Sequence, residues 1–316
     1  MDWKDDIAKR VRGEVGRDVP LASRTSVRVG GAAELFVRPA DVIDDLVDAL
    51  RLARDAGQPV HVLGGGANTV VGDGGVPGVT LKLREEGGRC DDLGDAMSIE
   101  ISAGAPSGRL AQLAKAHGLV GVEWSAGIPG TVGGLTAMNA GTRAGEMKDR
   151  LTEVLLVDAD GASWRPASEL KFAYRHAELG GRVVAKVRLT LAKGSPDAVA
   201  ESLAAIEKDR AQRKSTQPLN LPNSGSVFRN PPGDHAGRLV EACGLKGAAE
   251  GGAQISPVHA NFIVNRGGAT AADVTRLMAR AQAAVRERFQ ILLALEVRLV
   301  GLFAPSTELL GLKVER

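Results

Sequence analysis

Gly127-Ile128-Pro129-Gly130-Thr131-Val132-Gly133-Gly134, closed by Met138-Asn139-Ala140-Gly141, decides how this chain is read. The two pieces hold five glycines and one proline. Glycine lets a backbone approach a ligand closely and adopt positive φ, and proline stiffens the loop. A helix-compatible segment follows, and the first N–H groups of a helix lack intrahelical partners, so they can hold an anionic oxygen. The stretch therefore reads as a phosphate cradle. No Gly-Lys-Ser/Thr follows, so it is not a Walker loop. It is not G-x-G-x-x-G after a strand either.

A second such loop lies upstream at Leu63-Gly64-Gly65-Gly66-Ala67-Asn68-Thr69-Val70-Val71. Pro59-Val60-His61-Val62 before it reads as a short buried strand. Earlier still, Val42, Leu46, Ala49, Leu50 and Ala53 recur at helical spacing, and Gly57 with Pro59 ends the run. Strand, helix, strand and glycine loop form a β-α-β-like nucleotide-binding arrangement. Either loop alone could be a tight turn in a glycine-rich protein. Two loops suit a ligand with two phosphates, and the pair favours a dinucleotide.

The 316 residues suffice for two or three domains, and 40 basic against 38 acidic residues leave a formal charge of +2. That balance gives no electrostatic case for nucleic acid or for a membrane surface. Aromatics make up only 3% of the chain, so aliphatic side chains must build the core. Cys90 and Cys243 have no metal-ligand spacing and no pairing pattern, and no metal is expected. Cys243 reads as a small buried thiol at a helix end. A charged N-terminus, the absence of a long apolar run and two lone cysteines together point to a cytoplasmic protein.

Residues 1–20 read as an amphipathic helical arm. Residues 21–80 form a small α/β unit with the first glycine loop, and 81–192 a second with the central loop. Lys193-Gly194-Ser195-Pro196 marks a boundary, followed by a charged helix from Asp197 to Lys214. A third unit, 193–303, ends in a long helix from Ala271 to Phe289, with Thr270 and Asp273 at capping-box spacing. A strand over Ile291–Val300 completes it, and 304–316 is a tail. Three places could carry chemistry: Phe172-Ala173-Tyr174-Arg175 before a strand, the turn Asn223-Ser224-Gly225-Ser226-Val227-Phe228-Arg229-Asn230-Pro231, and Glu296. A carboxylate in a buried apolar strand is costly unless paired or hydrogen-bonded, so Glu296 reads as a functional candidate, with a structural ion pair to a nearby arginine as the alternative. An ordinary turn serine is the plainer account of Ser226 taken alone.

The central loop closely resembles the UDP-N-acetylenolpyruvoylglucosamine reductase family, a flavoenzyme family of peptidoglycan synthesis. Further matches follow in the family's order: Thr25-Ser26 with Gly30-Gly31 and Ala33, Gly64-Gly65-Gly66-Ala67-Asn68, Tyr174-Arg175, and the Asn223–Pro231 turn. Gly244-Leu245-Lys246-Gly247, Gly251-Gly252-Ala253, His259-Ala260-Asn261-Phe262 and Glu296-Val297-Arg298 complete the set, so the resemblance spans about residues 21–301. The Tyr-Arg motif without a long insertion is similar to the family's shorter subtype.

The resemblance implies an α+β fold: a two-part FAD-binding region of the vanillyl-alcohol-oxidase type and a C-terminal α/β substrate-binding domain. It implies FAD, NADPH as hydride source, and reduction of the enolpyruvyl ether of UDP-N-acetylglucosamine to UDP-N-acetylmuramate. The FAD is expected to be non-covalent, because neither glycine loop has a His or Cys in a flavin-tethering context. No obligate protein partner is expected. By match, Arg175 and Glu296 stabilise the charge that develops on the substrate, and Ser226 donates the proton. FAD would lie against Gly64, Gly65, Gly66, Ala67, Asn68 and Thr69. On the central loop it would lie against Gly127, Ile128, Pro129, Gly130, Thr131, Gly133, Gly134, Asn139, Ala140 and Gly141. Tyr174, Asn230 and Lys246 would hold the substrate.

Some positions depart from the pattern. Ala67 and Ala177 stand where serine is usual, and Ala294-Leu295 replaces Glu-Pro before Glu296. Leu295 in place of proline should permit a more regular strand. Another FAD oxidoreductase of the superfamily, or a non-catalytic nucleotide-binding protein, are the alternatives. Joint retention of Arg175, Ser226 and Glu296 argues against both.

Overall fold

The computed structural model describes residues 2–85 and 88–304. The chain forms two compact units that interleave along the sequence. One comprises residues 1–16, 36–65 and 80–212, the other 17–35, 66–79 and 213–316. The contiguous division at 20, 80 and 192 drawn from the sequence differs from this grouping. Strands β1 (Gly13–Pro20), β2 (Ala32–Pro39), β3 (Val60–Val62) and β5 (Val76–Leu81) form a sheet of order β1-β2-β5-β3.

In the first unit, α1 (Trp3–Arg10) begins at Asp2, whose side chain accepts from the Lys4 amide. The helical arm expected over residues 1–20 stops there, and Gly13–Pro20 is a strand. Helical geometry ends at Arg10, because Val11 is extended at φ −86° and ψ 121°, and pairing with β2, distant in sequence, decides the rest. α2 (Asp44–Asp55) starts where the Asp41 carboxylate accepts from the Ile43 and Asp44 amides, both at 2.7 Å. Its buried Leu46, Ala49 and Ala53 follow the expected periodicity, and Gly57 closes the run at φ +64°.

A six-stranded antiparallel sheet forms the body of this unit. Its order is β12-β11-β15-β7-β6, with β8 also on β15. The strands are β6 (Arg89–Asp92), β7 (Ala96–Ser102), β8 (Leu119–Val120), β11 (Leu151–Asp158), β12 (Gly161–Pro166) and β15 (Val183–Lys193). Ile99, Ile101, Leu156 and Leu189 from these strands are fully buried. α3 (Gly108–Ala116) and the short α4 (Val132–Ala137) follow β7 in the chain. Two small hairpins complete the unit: β9 (Gly141–Thr142) with β10 (Gly145–Glu146), and β13 (Phe172–Ala173) with β14 (His176–Ala177). α5 (Pro196–Thr216) buries no residue.

The second unit packs α6 (Ala236–Ala242) and α7 (Ala271–Phe289) with a four-stranded sheet of order β16-β19-β18-β17. Those strands are β16 (Asn223–Ser226), β17 (Ala249–Glu250), β18 (Ala253–Ile255) and β19 (Phe262–Asn265). α7 carries the expected capping box between Thr270 and Asp273, and Gln290 at φ +58° ends it. Val274, Leu277, Met278, Ala281 and Val285 form its buried stripe. The Asp73 carboxylate also accepts from the Ala271 and Ala272 amides at 2.8 and 2.9 Å. Cys243, the residue that ends α6, is only partly buried.

The strand expected over Ile291–Val300 is reduced to β20 (Arg298–Val300), which pairs in parallel with β4 (Thr69–Val71). Before it, Leu295 makes a single bridge to Phe228, and the Glu296 and Val297 amides both converge on the Val227 carbonyl at 2.8 and 3.3 Å. Two successive amides on one acceptor cannot continue a regular ladder, so Leu295 does not restore one. The tail expected at 304–316 lies, apart from Ala304, outside the described residues.

Candidate active site

The two glycine loops meet inside the first unit. Ser107 pins the central loop from one side: its amide donates to the Gly130 carbonyl at 3.0 Å, and its hydroxyl donates to the Ile128 carbonyl. Thr131 opens α4, and its hydroxyl accepts from the Gly134 amide at 3.3 Å. The Val132 and Gly133 amides donate to Ala105 and Ala103 at 2.9 and 2.8 Å, so the far side of the loop is fastened to the segment after β7.

The first loop arrives against this face. A side chain on Gly64 would lie 2.7 Å from Thr131 Oγ1, and one on Gly65 would lie 2.7 Å from Gly130 Cα. At Gly65 the contact is between backbones, and at that distance it requires glycine, which explains why two glycine-rich stretches far apart in sequence occur together. Lys82 Nζ donates to the Gly64 carbonyl at 2.7 Å and holds the loop from behind. Among the described residues, the Gly64 and Gly65 amides donate to no protein acceptor. Free amide donors on a glycine cradle fit the anionic pyrophosphate of a dinucleotide such as FAD. Sequence reasoning missed Lys82 and Ser107, because neither lies in a motif.

The rest of the first loop belongs to the second unit. Gly66 sits at φ +67°, and its carbonyl accepts from the Ser26 amide at 3.0 Å. A Cβ there would come within 2.3 Å of the Arg24 carbonyl, so the Thr25-Ser26 pair and Gly66 explain one another. Asn68 Nδ2 donates to the Glu296 carbonyl at 3.0 Å, and the Arg298 amide returns a bond to the Asn68 carbonyl at 3.0 Å. Thr69 then stands opposite Arg298 in the β4–β20 pair.

Ser226 ends β16, and its neighbour Val227 carries the carbonyl on which the Glu296 amide lands. Arg229 donates in turn to the Ala294 carbonyl at 2.9 Å. The first glycine loop, the serine turn and the glutamate segment thus form one hydrogen-bonded group. Glu296 is half-buried on an irregular segment, not in a buried strand, so the cost expected for it is reduced.

The substrate residues read from the sequence are in mixed positions. Asn230 is exposed, and its Oδ1 accepts from the Ala236 amide at 3.0 Å, so its carbonyl end helps to start α6. Lys246 Nζ pairs with Glu241 at 2.8 Å. His259 lies near this pair. Burial pushes its pKa below the usual histidine value and the Lys246 charge adds to that, while a backbone hydrogen bond and Glu241 oppose it.

Tyr174 and Arg175 form the tip of the β13–β14 hairpin in the first unit. Arg175 adopts φ +58°, its guanidinium lies 4.9 Å from the centre of the exposed Tyr174 ring, and Nη2 donates to the Gly141 carbonyl at 3.2 Å. Asn139, read as a flavin residue, is fully buried, and its amide donates to Glu146 Oε2 and the Ala173 carbonyl at 3.0 and 3.3 Å. Arg175 therefore belongs to the first unit, and Ser226 and Glu296 to the second.

Residues 33–165 match the model of an FAD-binding domain, and residues 217–300 match that of the UDP-N-acetylenolpyruvoylglucosamine reductase C-terminal domain. With the paired glycine loops, this defines an α+β flavoprotein oxidoreductase.

A UDP-N-acetylenolpyruvoylglucosamine reductase of Anaeromyxobacter dehalogenans is 56% identical over 313 residues, 99% of this chain and 93% of that protein. A relative of the same name from Myxococcus xanthus is 50% identical, over 95% of this chain and 98% of its own length. The crystal structure of the reductase from Thermus caldophilus superposes with a TM-score of 0.76 at 37% identity, covering 92% of this chain and 99% of that one. The chain belongs to the UDP-N-acetylenolpyruvoylglucosamine reductase family. It is an FAD-dependent enzyme that reduces the enolpyruvyl group of a UDP-N-acetylglucosamine ether in peptidoglycan precursor synthesis. Among the described residues, no helix is long and apolar enough to cross a membrane.

Proposed function

We propose that this enzyme uses NADPH as reductant in the cytoplasm, holds FAD without a covalent link, and divides the chemistry among Arg175, Ser226 and Glu296. Bound flavin supplies the hydride. Residues 21–80 and 81–192 serve the cofactor, and 193–303 serve the substrate.

Hydride addition to the terminal carbon of the enol ether leaves negative charge on the adjacent carbon and its carboxylate. Arg175 is the fixed cation for that charge, and Glu296 assists as a hydrogen-bonding group. Ser226 Oγ–H donates the proton that converts the carbanionic carbon to the lactyl centre. A serine hydroxyl is a weak acid, so donation needs a polar neighbour to take up the charge left on Oγ. Tyr174, Asn230 and Lys246 hold the substrate, with Lys246 as a point charge for the diphosphate once Glu241 yields it.

The observation that carries this reading is the joint anchoring of three motifs. Asn68 of the flavin loop holds the Glu296 carbonyl, and Val227, next to Ser226, accepts the Glu296 amide at 2.8 Å. A chain keeping these residues for unrelated reasons has no need to tie them together. Stopped-flow separation of the half-reactions tests it. In Ser226→Ala, flavin reduction by NADPH should stay near normal. Reoxidation by the enolpyruvyl UDP-sugar should slow by about 10²–10⁴-fold. Equal slowing of both steps would remove Ser226 as the proton donor.

A further inference from the structure

Asn139 has no exposed surface and sits at φ +40°, in the left-handed region. Both ends of its amide are used: Oδ1 accepts from the Lys148 amide at 3.1 Å, and Nδ2 donates to Glu146 Oε2 at 3.0 Å and to the Ala173 carbonyl at 3.3 Å. Ala173 immediately precedes the Tyr174-Arg175 turn. Two residues beyond Asn139, the Gly141 carbonyl accepts from Arg175 Nη2 at 3.2 Å. Segment 139–141 therefore grips the turn at its entry and at its guanidinium. Glu146 closes the arrangement, because its backbone stands opposite Gly141 while its carboxylate takes both the Asn139 amide and the Lys148 ammonium. Arg175 itself is held at φ +58°, a conformation a non-glycine residue keeps only when its surroundings enforce it.

We propose that Asn139 is a positioning residue for Arg175. Its amide, oriented by Glu146, fixes the Tyr174-Arg175 turn against segment 139–141 and so fixes where the guanidinium is presented. The consequence for turnover rests on the role given to Arg175 above. Loss of the Asn139 tether leaves the cation present but displaced, and displacement by roughly 1 Å can cost about 100-fold in rate.

Asn139→Asp alone would bury a second carboxylate against Glu146, and a failure to fold would follow from that repulsion. The compensated pair Asn139→Asp/Glu146→Gln restores a donor and an acceptor between these side chains. It still leaves the Ala173 carbonyl without its donor. The double variant should fold with a melting temperature close to that of the parent. Per flavin-loaded molecule, its reaction with the enolpyruvyl UDP-sugar should slow by about 10- to 100-fold. Adding Arg175→Ala to it should slow the reaction no further than Arg175→Ala alone, as for residues acting as one unit. A direct reading comes from ¹⁵N-arginine-labelled protein. The Arg175 Nε signal, identified by its loss in Arg175→Ala, should shift in the double variant. An unmoved Arg175 signal, or a full multiplicative loss in the triple variant, overturns the proposal. A normal rate for Arg175→Ala instead removes the role given to Arg175, and the Nε signal then decides alone whether Asn139 positions it.

Discussion

Gly65→Ala should cost flavin affinity through a clash between two backbones. The added Cβ would stand 2.7 Å from Gly130 Cα and 3.0 Å from the Gly130 carbonyl carbon, where ordinary contact begins near 3.4 Å. Gly65 lies outside the left-handed region, so alanine is compatible with its backbone and the clash alone is at issue. Gly130 cannot withdraw freely, because its carbonyl is held by the Ser107 amide at 3.0 Å. Overpacking of this kind costs about 1–3 kcal/mol, or about 5- to 150-fold in a dissociation constant if the cost falls on the bound state.

Gly64→Ala offers a matched contrast. Its Cβ would meet Thr131 Oγ1 at 2.7 Å, but its next contacts are at 3.9 and 4.0 Å. Removing the hydroxyl in Gly64→Ala/Thr131→Ala should recover affinity despite the loss of a helix cap worth about 1 kcal/mol. No such partner exists for Gly65→Ala. Gly108→Ala, where nothing lies within 4 Å, is the neutral control. Reconstitution of apoprotein with FAD, followed by absorbance and by the melting-temperature difference between holo and apo forms, reads all four variants. Wild-type affinity for Gly65→Ala, within about twofold, would refute the claim that loop contact shapes the cofactor site.

Arg175→Ala and Glu296→Gln should each lower kcat strongly, with the double variant little worse than the poorer single, since both act on one developing charge. The backbone bonds that hold Glu296 survive the substitution, so a stable, flavin-replete Glu296→Gln enzyme with near-normal turnover would exclude that residue. Acid precipitation should release the yellow chromophore into the supernatant, and colour in the pellet would show a covalent link. Asp45 is nearly buried and accepts from the Arg12 guanidinium, the Arg12 amide and the Asp41 amide at 3.0, 3.1 and 2.9 Å. Burial pushes its pKa up, but these hydrogen bonds and the Arg12 charge outweigh it, leaving the carboxyl below its ordinary 3.8. A lowered folded-state pKa gives stability that is complete above about pH 4 and lost as pH falls further. Asp45→Asn should flatten the melting-temperature profile between pH 5 and 2, and an unchanged acid limb would refute this.

Features whose causes are local could be read from the sequence. The bounds of α7 follow from the Thr270–Asp273 box and the i, i+3, i+4 stripe beginning at Val274, all within one stretch of chain. The glycine loops could be read for a similar reason, since glycine at Gly65 and Gly66 reports a close approach whatever the approaching atom is. What approaches could not be read. Gly65 meets Gly130, Gly66 meets Arg24, and nothing in the sequence pairs these positions.

The errors share that cause. Gly13–Pro20 was expected to be helical because its place in a sheet depends on partners elsewhere in the chain. The apolar run from Ile291 has strand composition, yet Val227 takes two consecutive amides from it and breaks the ladder before Arg298. Asp73 caps α7 from 198 residues away in sequence. The motif assigns Asn139 to the cofactor, and its side-chain amide has a further use within the protein that the motif does not reveal, donating to Glu146 and Ala173. A motif constrains residue identity without saying which neighbour imposes the constraint. Asn139 and Arg175 are 36 positions apart in a resemblance that treats them as separate cofactor and catalytic residues. The Ala173 and Gly141 carbonyls make them parts of one device. Invariance at such a position would therefore report the placement of the guanidinium as much as any contact with flavin.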